Sequence, residues 1–278
     1  MMKKTMNIVL TGDANYVYPL GVLMVSVMEN LNPDYRARFF LFVSDFDDAA
    51  MAQLNKLHDK YDCDIIYYDM TQYLHLFSAI DVSTFRLGYI SLATYYRLLM
   101  MKILPDDVDK CFYIDGDMIC GGDLSKIYEQ NTDNILASVV VEILAMTNRD
   151  TTLGHLLEWD EFKPLAENRV PYFNAGFLLI NIRRAKELKL FDAAFEFLRA
   201  HPNPPYADQD TLNAIIGQKY PDEILFLPPE YNVFCDIDYS RKYNAPTYTR
   251  AQIRRAFRHP VIYHYAGGNK PWINWSVR

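Results

Sequence analysis

The sequence predicts an α/β fold built on a parallel, Rossmann-like sheet, and three observations carry that expectation. Strand and helix patterns alternate through the first third of the chain. The strand candidates are short apolar runs closed by turn residues, as buried strands are. The chain has 278 residues, 50% of them hydrophobic and 23% charged, which suits one large folded domain and is too apolar for disorder.

The elements follow in order. Asn7 to Thr11 is a buried first strand ended by Gly12-Asp13. Pro19 to Leu31 carries apolar residues at Leu20, Leu23, Met24, Val27, Met28 and Leu31, a helical spacing opened near Pro19 and closed by Asn32-Pro33. Arg38 to Val43 is the second strand. Ser44 to Asp48 signals a helix that lines up Met51, Leu54, Leu57 and Tyr61, and Asp64 to Tyr68 is the third strand. A long amphipathic helix is expected over Ser91–Leu104, ending before Pro105. A strand over Asp109–Asp115 follows, with further strands at Ile135–Val141, Phe177–Ile182 and Ile224–Leu227. Helices are expected at Arg184–Ala200 and Asp210–Gly217. No repeat or low-complexity linker divides the chain, so residues 1–278 read as one domain with a less regular tail from about residue 240.

Bulk properties exclude several function classes. A net charge of −7 without a continuous basic field argues against nucleic-acid binding. Cys63, Cys111, Cys120 and Cys235 have no CxxC spacing and read as reduced, mostly buried thiols. The N-terminus has no apolar segment long enough for a signal peptide or a membrane span, so a cytoplasmic protein is expected. Such sheets bind ligands beyond the carboxyl ends of their strands. The turn after the first strand, Thr11-Gly-Asp-Ala-Asn-Tyr16, lacks the G-x-G-x-x-G fingerprint, which disfavours a dehydrogenase.

Four segments can carry chemistry. In Asp115-Gly116-Asp117, directly after a buried strand, two carboxylates can converge on a divalent cation, and the glycine admits a ligand close to the backbone; the competing reading is a solvated turn. In Val261 to Trp272 an apolar strand delivers His264, two glycines open the backbone, and Lys270 follows. A histidine there can complete a metal site and a lysine can neutralise phosphate, although a core histidine beside a glycine-rich turn would look the same. Tyr172 to Asn181 sets an Asn174-Ala175-Gly turn ahead of an apolar strand, where an amide can meet a hydroxylated ligand. In Tyr206-Ala-Asp208-Gln209-Asp210-Thr-Leu-Asn213 acidic and amide groups open a helix, and at least one of Asp208 and Asp210 is expected simply to cap it.

Six ordered blocks give the chain a specific resemblance: Ile8–Tyr16, Ile90–Arg97, Tyr113–Asp117, Tyr172–Asn181, Asp208–Asp210 and His264–Trp272. Across nearly the whole length it resembles glycosyltransferase family 8, retaining UDP-sugar transferases that include bacterial lipooligosaccharide galactosyltransferases and glycogenin. The resemblance implies the GT-A fold, a single Rossmann-like domain with a mixed, mostly parallel central sheet. It implies that Asp115, Asp117 and His264 hold manganese, with magnesium the alternative ion. Asp13, Asn15 and Tyr16 match the uridine pocket, with Tyr16 stacking on the base, and Gly267 and Lys270 match the diphosphate grip. Arg97, Asn174, Asp208 and Gln209 match the donor-sugar pocket and form the expected catalytic set, with Glu142 a further acidic contact. Thr11, Gly116 and Ala175 are counted among the donor-binding residues.

The expected reaction transfers galactose or glucose from UDP-galactose or UDP-glucose to a carbohydrate acceptor, in the synthesis of surface glycan, lipopolysaccharide or glycoprotein glycan. Gln209 is expected near the sugar face opposite the leaving group; its amide is a poor nucleophile, which favours front-face attack over a covalent intermediate. The alternatives are a metal-dependent nucleotidyltransferase attacking phosphorus, a glycoside hydrolase using Asp115 and Asp117 without metal, and a non-catalytic sugar-nucleotide binder. Arg250, Arg254, Arg255 and Arg258, with Phe257, Trp272 and Trp275, offer a peripheral contact with the inner face of a membrane, against the plainer reading of a solvated helix face.

Overall fold

A computed structural model describes residues 3–78, 92–142, 155–167, 169–235, 247–268 and 270–273. Among the described residues, a seven-stranded sheet runs in the order β3-β2-β1-β4-β7-β6-β8. Its strands are β1 (Lys4–Gly12), β2 (Tyr35–Val43), β3 (Cys63–Asp69), β4 (Lys110–Ile114), β6 (Ala137–Val141), β7 (Phe173–Asn181) and β8 (Ile224–Phe226). A smaller sheet takes the order β5-β10-β9, from Met118–Cys120, Ile262–His264 and Val233–Phe234.

β1 pairs parallel with β2 on one side and β4 on the other, and β2 pairs parallel with β3. The chain therefore leaves β1 in one direction and returns on the opposite side, which makes the β1–β4 boundary the switch point where such sheets open a crevice. β7 runs antiparallel to both β4 and β6. That reversal brings the first residues of β7 to the carboxyl ends of its neighbours. The architecture is the expected mixed, mostly parallel α/β sheet.

Both faces of the sheet are covered, which is why its strands read as almost unbroken apolar runs. Alternation sends Ile8, Leu10, Phe39, Leu41, Phe112, Ile114 and Phe177 to one face, where Leu20, Leu23, Met24 and Val27 of the helix Val17–Asn30 cover them. Val9, Phe40, Phe42, Tyr113, Leu178 and Ile180 face the other side, against Tyr95, Leu98, Leu99 and Phe197.

Three expected helices differ in detail. In the 91–104 segment, of which Ser91 lies outside the described residues, a tight 3-10 helix over Leu92–Leu99 precedes a single α-turn at Met100–Ile103. Over so few turns an amphipathic pattern fits either winding. The 184–200 segment is two helices, Ile182–Glu187 and Leu190–Ala200, broken where Lys189 takes left-handed angles (φ 53°, ψ 41°). No glycine marks that break, so the pattern reads straight through it. The helix at Asp208–Leu212 gives way to a π-helix at Asn213–Gln218. The change falls at Asn213, whose side-chain Nδ2 donates to the Gln209 carbonyl at 2.9 Å, the kind of side-chain insertion that accompanies a break in the helical ladder.

The helix Arg250–Arg258 carries a Thr249–Gln252 capping box; it buries Ile253 and Ala256 and exposes its four arginines and Phe257. None of the four cysteines forms a disulfide, and Cys235 alone of the four is exposed. Among the described residues no helix is long and apolar enough to cross a membrane.

Phe177 is fully buried, with its ring centroid 5.4 Å from that of Phe112. Phe177→Ala is expected to cost about 3–5 kcal/mol in urea denaturation, and a cost under about 1 kcal/mol would contradict this packing.

Candidate active site

The carboxyl ends of β1 and β4, the end of β6 and the start of β7 enclose a cavity of about 270 Å³. Thr11, Asp13, Tyr16, Arg97, Asp115, Gly116, Asp117, Glu142, Asn174, Ala175, Asp208, Gln209, His264, Gly267 and Lys270 all line it. Of the residues expected from sequence, Asn15 does not; it is exposed, and its backbone N–H donates to the capping Asp13 carboxylate at 2.9 Å.

Asp115-Gly116-Asp117 is a turn rather than an extended segment, closed by Met118 N–H donating to the Asp115 carbonyl at 3.1 Å. The turn leads into β5, and β5 pairs antiparallel with β10, setting His264 opposite Met118. Tyr265 N–H adds a bond to the Asp117 carbonyl at 3.0 Å. Strand pairing thus carries His264 to the aspartates. One oxygen of each carboxylate is held from outside the cluster. Asp115 Oδ1 accepts from Arg97 at 2.8 Å and Tyr113 at 2.7 Å, and Asp117 Oδ2 accepts from Lys270 at 2.6 Å. The other oxygens face His264 Nε2, Asp117 Oδ1 at 3.4 Å and Asp115 Oδ2 at 3.9 Å.

The fit to a cation rests on those inner atoms. Asp117 Oδ1 is buried and accepts no hydrogen bond from protein. The three ligand atoms lie within 4.8 Å of one another, and donors held at about 2.0–2.6 Å from one divalent ion are about 3–5 Å apart. One imidazole and two carboxylates form a mixed N/O set that manganese or magnesium accepts. Burial works against ionising Asp117, but His264 and the Lys270 ammonium outweigh it and hold the carboxyl below the usual carboxylate range.

The cavity walls follow from backbone made available at β7. Pairing of β6 with β7 shifts between Val139 and Val140, so Val140 faces Asn174 while Val139 faces Leu178. The skipped residues offer their backbone groups to the site. The Ala175 carbonyl accepts from Arg97 at 2.6 Å, Ala175 N–H donates to Gln209 Oε1 at 2.9 Å, and Gly176 N–H donates to Asn174 Oδ1 at 2.9 Å. Asn174 Nδ2 reaches Glu142 at 2.8 Å and Gln209 Oε1 at 3.0 Å.

Neither aspartate caps the 208–212 helix. Its N-cap is Ala207, at positive φ (53°) with no side-chain cap. Asp210 instead accepts from Tyr172 O–H and, at 2.7 Å, from Tyr206 N–H. Asp208 Oδ2 lies 2.7 Å from Arg97 Nε, yet that N–H points to the Thr94 carbonyl at 3.0 Å and leaves this oxygen without an aligned donor. Burial pushes the Asp208 carboxyl up to about 7; Arg97 opposes the shift, and Asp115 and Asp210 reinforce it.

Tyr16 packs where a side chain at Gly12 or Gly116 would collide with it, each Cβ coming within 2.9 Å of Tyr16 atoms. Its ring meets Trp272 edge-on at 5.8 Å. Burial, then Asp117, Asp115 and Asp13, raise its phenol and keep it neutral. Sequence reasoning placed Asn213 in its segment without a role, and the structure has it clamp the Phe173 N–H and carbonyl at 2.9 and 2.8 Å; it missed Asn232, bonded to His264 at 2.9 Å. No spacing marks either residue.

Comparison with known proteins places the chain in a family and supports the fold. The family described as Glycosyl transferase family 8 matches residues 7–276. A lipopolysaccharide 1,2-glucosyltransferase of Escherichia coli K12 is 26% identical over 98% of this chain and 74% of its own length. A lipopolysaccharide 1,3-galactosyltransferase of Salmonella typhimurium is 27% identical over 95% of this chain and 72% of its own. Among solved structures, the galactosyltransferase LgtC in complex with donor and acceptor sugar analogs superposes with a TM-score of 0.75 at 21% identity, covering 96% of this chain and 89% of that one.

Two outcomes test the site. A Cβ at Gly176 would lie 2.6 Å from Asp115 Oδ2 and 2.9 Å from His264 Cε1. Gly176→Ala should therefore lower manganese affinity at least tenfold by calorimetry, with about 1–3 kcal/mol lost in stability; unchanged affinity would contradict the packing. The second concerns Asp208, whose folded carboxyl sits above its ordinary value of 3.8. The unfolded chain ionises first as pH rises, so stability tied to this group is complete below about pH 4 and is lost toward pH 7, by at most about 1.4 kcal/mol per unit. In cation-free protein the stability of wild type relative to Asp208→Asn should fall across that window, and a constant difference would refute the assignment.

Proposed function

The chain belongs to glycosyltransferase family 8 and has the GT-A fold, and on that premise we propose that it transfers a hexose, galactose or glucose, from a UDP-sugar to a hydroxyl of a carbohydrate acceptor. The anomeric configuration is retained. Asp115, Asp117 and His264 hold the divalent ion, manganese or magnesium. The observation that carries this reading is the cluster itself, two carboxylate oxygens turned inward on an imidazole nitrogen in the cavity at the switch point. The lipopolysaccharide glucosyl- and galactosyltransferases among the relatives favour a surface-glycan acceptor. A cytoplasmic location follows from the proposed donor, with the exposed Arg250, Arg254, Arg255 and Arg258 offering peripheral contact with an anionic membrane face.

The ion, once bound, would neutralise charge building on the departing diphosphate. Lys270 adds an ammonium beside Asp117, and the Gly267 backbone flanks the same wall. Asp13 and Tyr16 line the nucleotide end of the cavity, and Thr11 sits at the end of β1. Arg97 is buried between Asp115 and Asp208 and ties the metal ligands to the sugar end. Glu142, Asn174, Ala175, Asp208 and Gln209 form the sugar pocket.

Gln209 bears on the mechanism. Its Oε1 already accepts from Asn174 Nδ2 and Ala175 N–H, so both lone pairs are engaged and the amide is a weaker nucleophile still. This supports front-face attack, in which the acceptor hydroxyl approaches from the side the diphosphate leaves and a departing phosphate oxygen takes its proton. No strong protein base is needed.

A UDP-release assay across a panel of UDP-sugars tests the reading. Release should occur with UDP-galactose or UDP-glucose, fall at least a hundredfold on chelation and recover with manganese. Gln209→Ala should lower kcat/KM at least tenfold. Pyrophosphate release in place of UDP would indicate a nucleotidyltransferase, and metal-dependent binding without turnover would indicate a sugar-nucleotide binder.

A further inference from the structure

A chain of hydrogen bonds runs from β7 to the imidazole, and its direction is fixed at one end. Backbone N–H groups are obligate donors. Gly176 N–H meets Asn174 at 2.9 Å, so the Asn174 atom there is the acceptor Oδ1. The Asn232 atom 2.7 Å from that oxygen must then be the donor Nδ2. That orientation turns Asn232 Oδ1, which can only accept, to His264 Nδ1 at 2.9 Å. In a neutral imidazole the single N–H therefore sits on Nδ1, and Nε2 presents its lone pair to the inward oxygens of Asp115 and Asp117. Asn232 and His264 are almost wholly buried, at 2% and 3% exposure, so water does not compete for these bonds.

We infer that Asn232 is a positioning residue that transmits the hydrogen-bond direction of the β7 backbone to His264, holding the imidazole in the Nδ1–H tautomer that leaves Nε2 ready for a divalent cation. A metal-bound histidine needs its second nitrogen to donate, and the partner that accepts fixes ring orientation and tautomer together. Asn232 belongs to the turn between the 3-10 helix Pro229–Tyr231 and β9, outside the cavity wall itself. It also bridges His264 to Asn174, so a single amide couples the ion site to the sugar pocket.

This inference rests on His264 as a metal ligand, and its test separates the two. Long-range proton–nitrogen correlation on histidine-labelled, metal-free protein at pH 8, with His264→Asn to assign the signal, reads the tautomer without any ion. The expected result is Nδ1–H in wild type and in Asn232→Asp, which keeps an acceptor toward Nδ1, and a shift toward Nε2–H in Asn232→Leu. Calorimetric manganese affinity of Asn232→Leu should fall about 10–100-fold. An Nε2–H signal in wild type would overturn the inference and needs no variant to fold. An Asn232→Leu protein with unchanged tautomer or unchanged affinity would overturn it too. Nδ1–H in a wild type that binds no manganese would instead sink the metal assignment and leave the hydrogen-bond relay standing.

Discussion

The site depends on how the fold brings two carboxylates and an imidazole from distant stretches of chain into one buried cluster. Two like charges this close repel, and burial strengthens the repulsion. Arg97 and Lys270 offset it from opposite sides, each holding the outer oxygen of one aspartate. The inner oxygens are thereby left facing His264 Nε2, and Asp117 Oδ1 stays buried without a protein donor. A native structure seldom leaves such an atom unpaired without a functional reason. The β5–β10 pairing fixes the third ligand's place by backbone bonds, so the cluster does not rely on long flexible side chains to assemble.

β7 supplies the rest of the site by breaking its own regularity. An uninterrupted antiparallel strand would spend the Ala175 and Gly176 backbone groups on a neighbour. Here the register shift against β6 turns them toward Arg97, Gln209 and Asn174, while Gly176 carbonyl still closes on Asp115 N–H at 2.8 Å. Asn213 braces the same strand from the other side by taking both backbone groups of Phe173, at the cost of a distorted helix. The β7 register shift, the distorted helix and the positive φ at Ala207 all lie beside residues that line the cavity.

Much of this was legible in the sequence because the signals were local. An apolar run that ends in Asp115-Gly116-Asp117 can be read from adjacent residues, and so can an apolar run that delivers His264. The order of the motif blocks identified the family before any distance was known. What escaped had no local signature. Lys189 breaks a helix where a glycine would have announced it, Asn213 looks like any polar residue in a short helix, and Asn232 lies in a loop whose partners come from β7 and β10. The aspartates at 208 and 210 show the reverse error. Their position before a helix suggested capping, but tertiary contacts with Arg97, Tyr172 and Tyr206 claim both.

Anomalous diffraction at the manganese edge, from crystals grown with manganese and UDP, tests the central claim most directly. A single peak about 2.0–2.3 Å from carboxylate oxygens of Asp115 and Asp117 and from His264 Nε2, with diphosphate oxygens completing its coordination, is the result this geometry requires. A peak that omits His264, or bound UDP with no metal between it and the two aspartates, would contradict it.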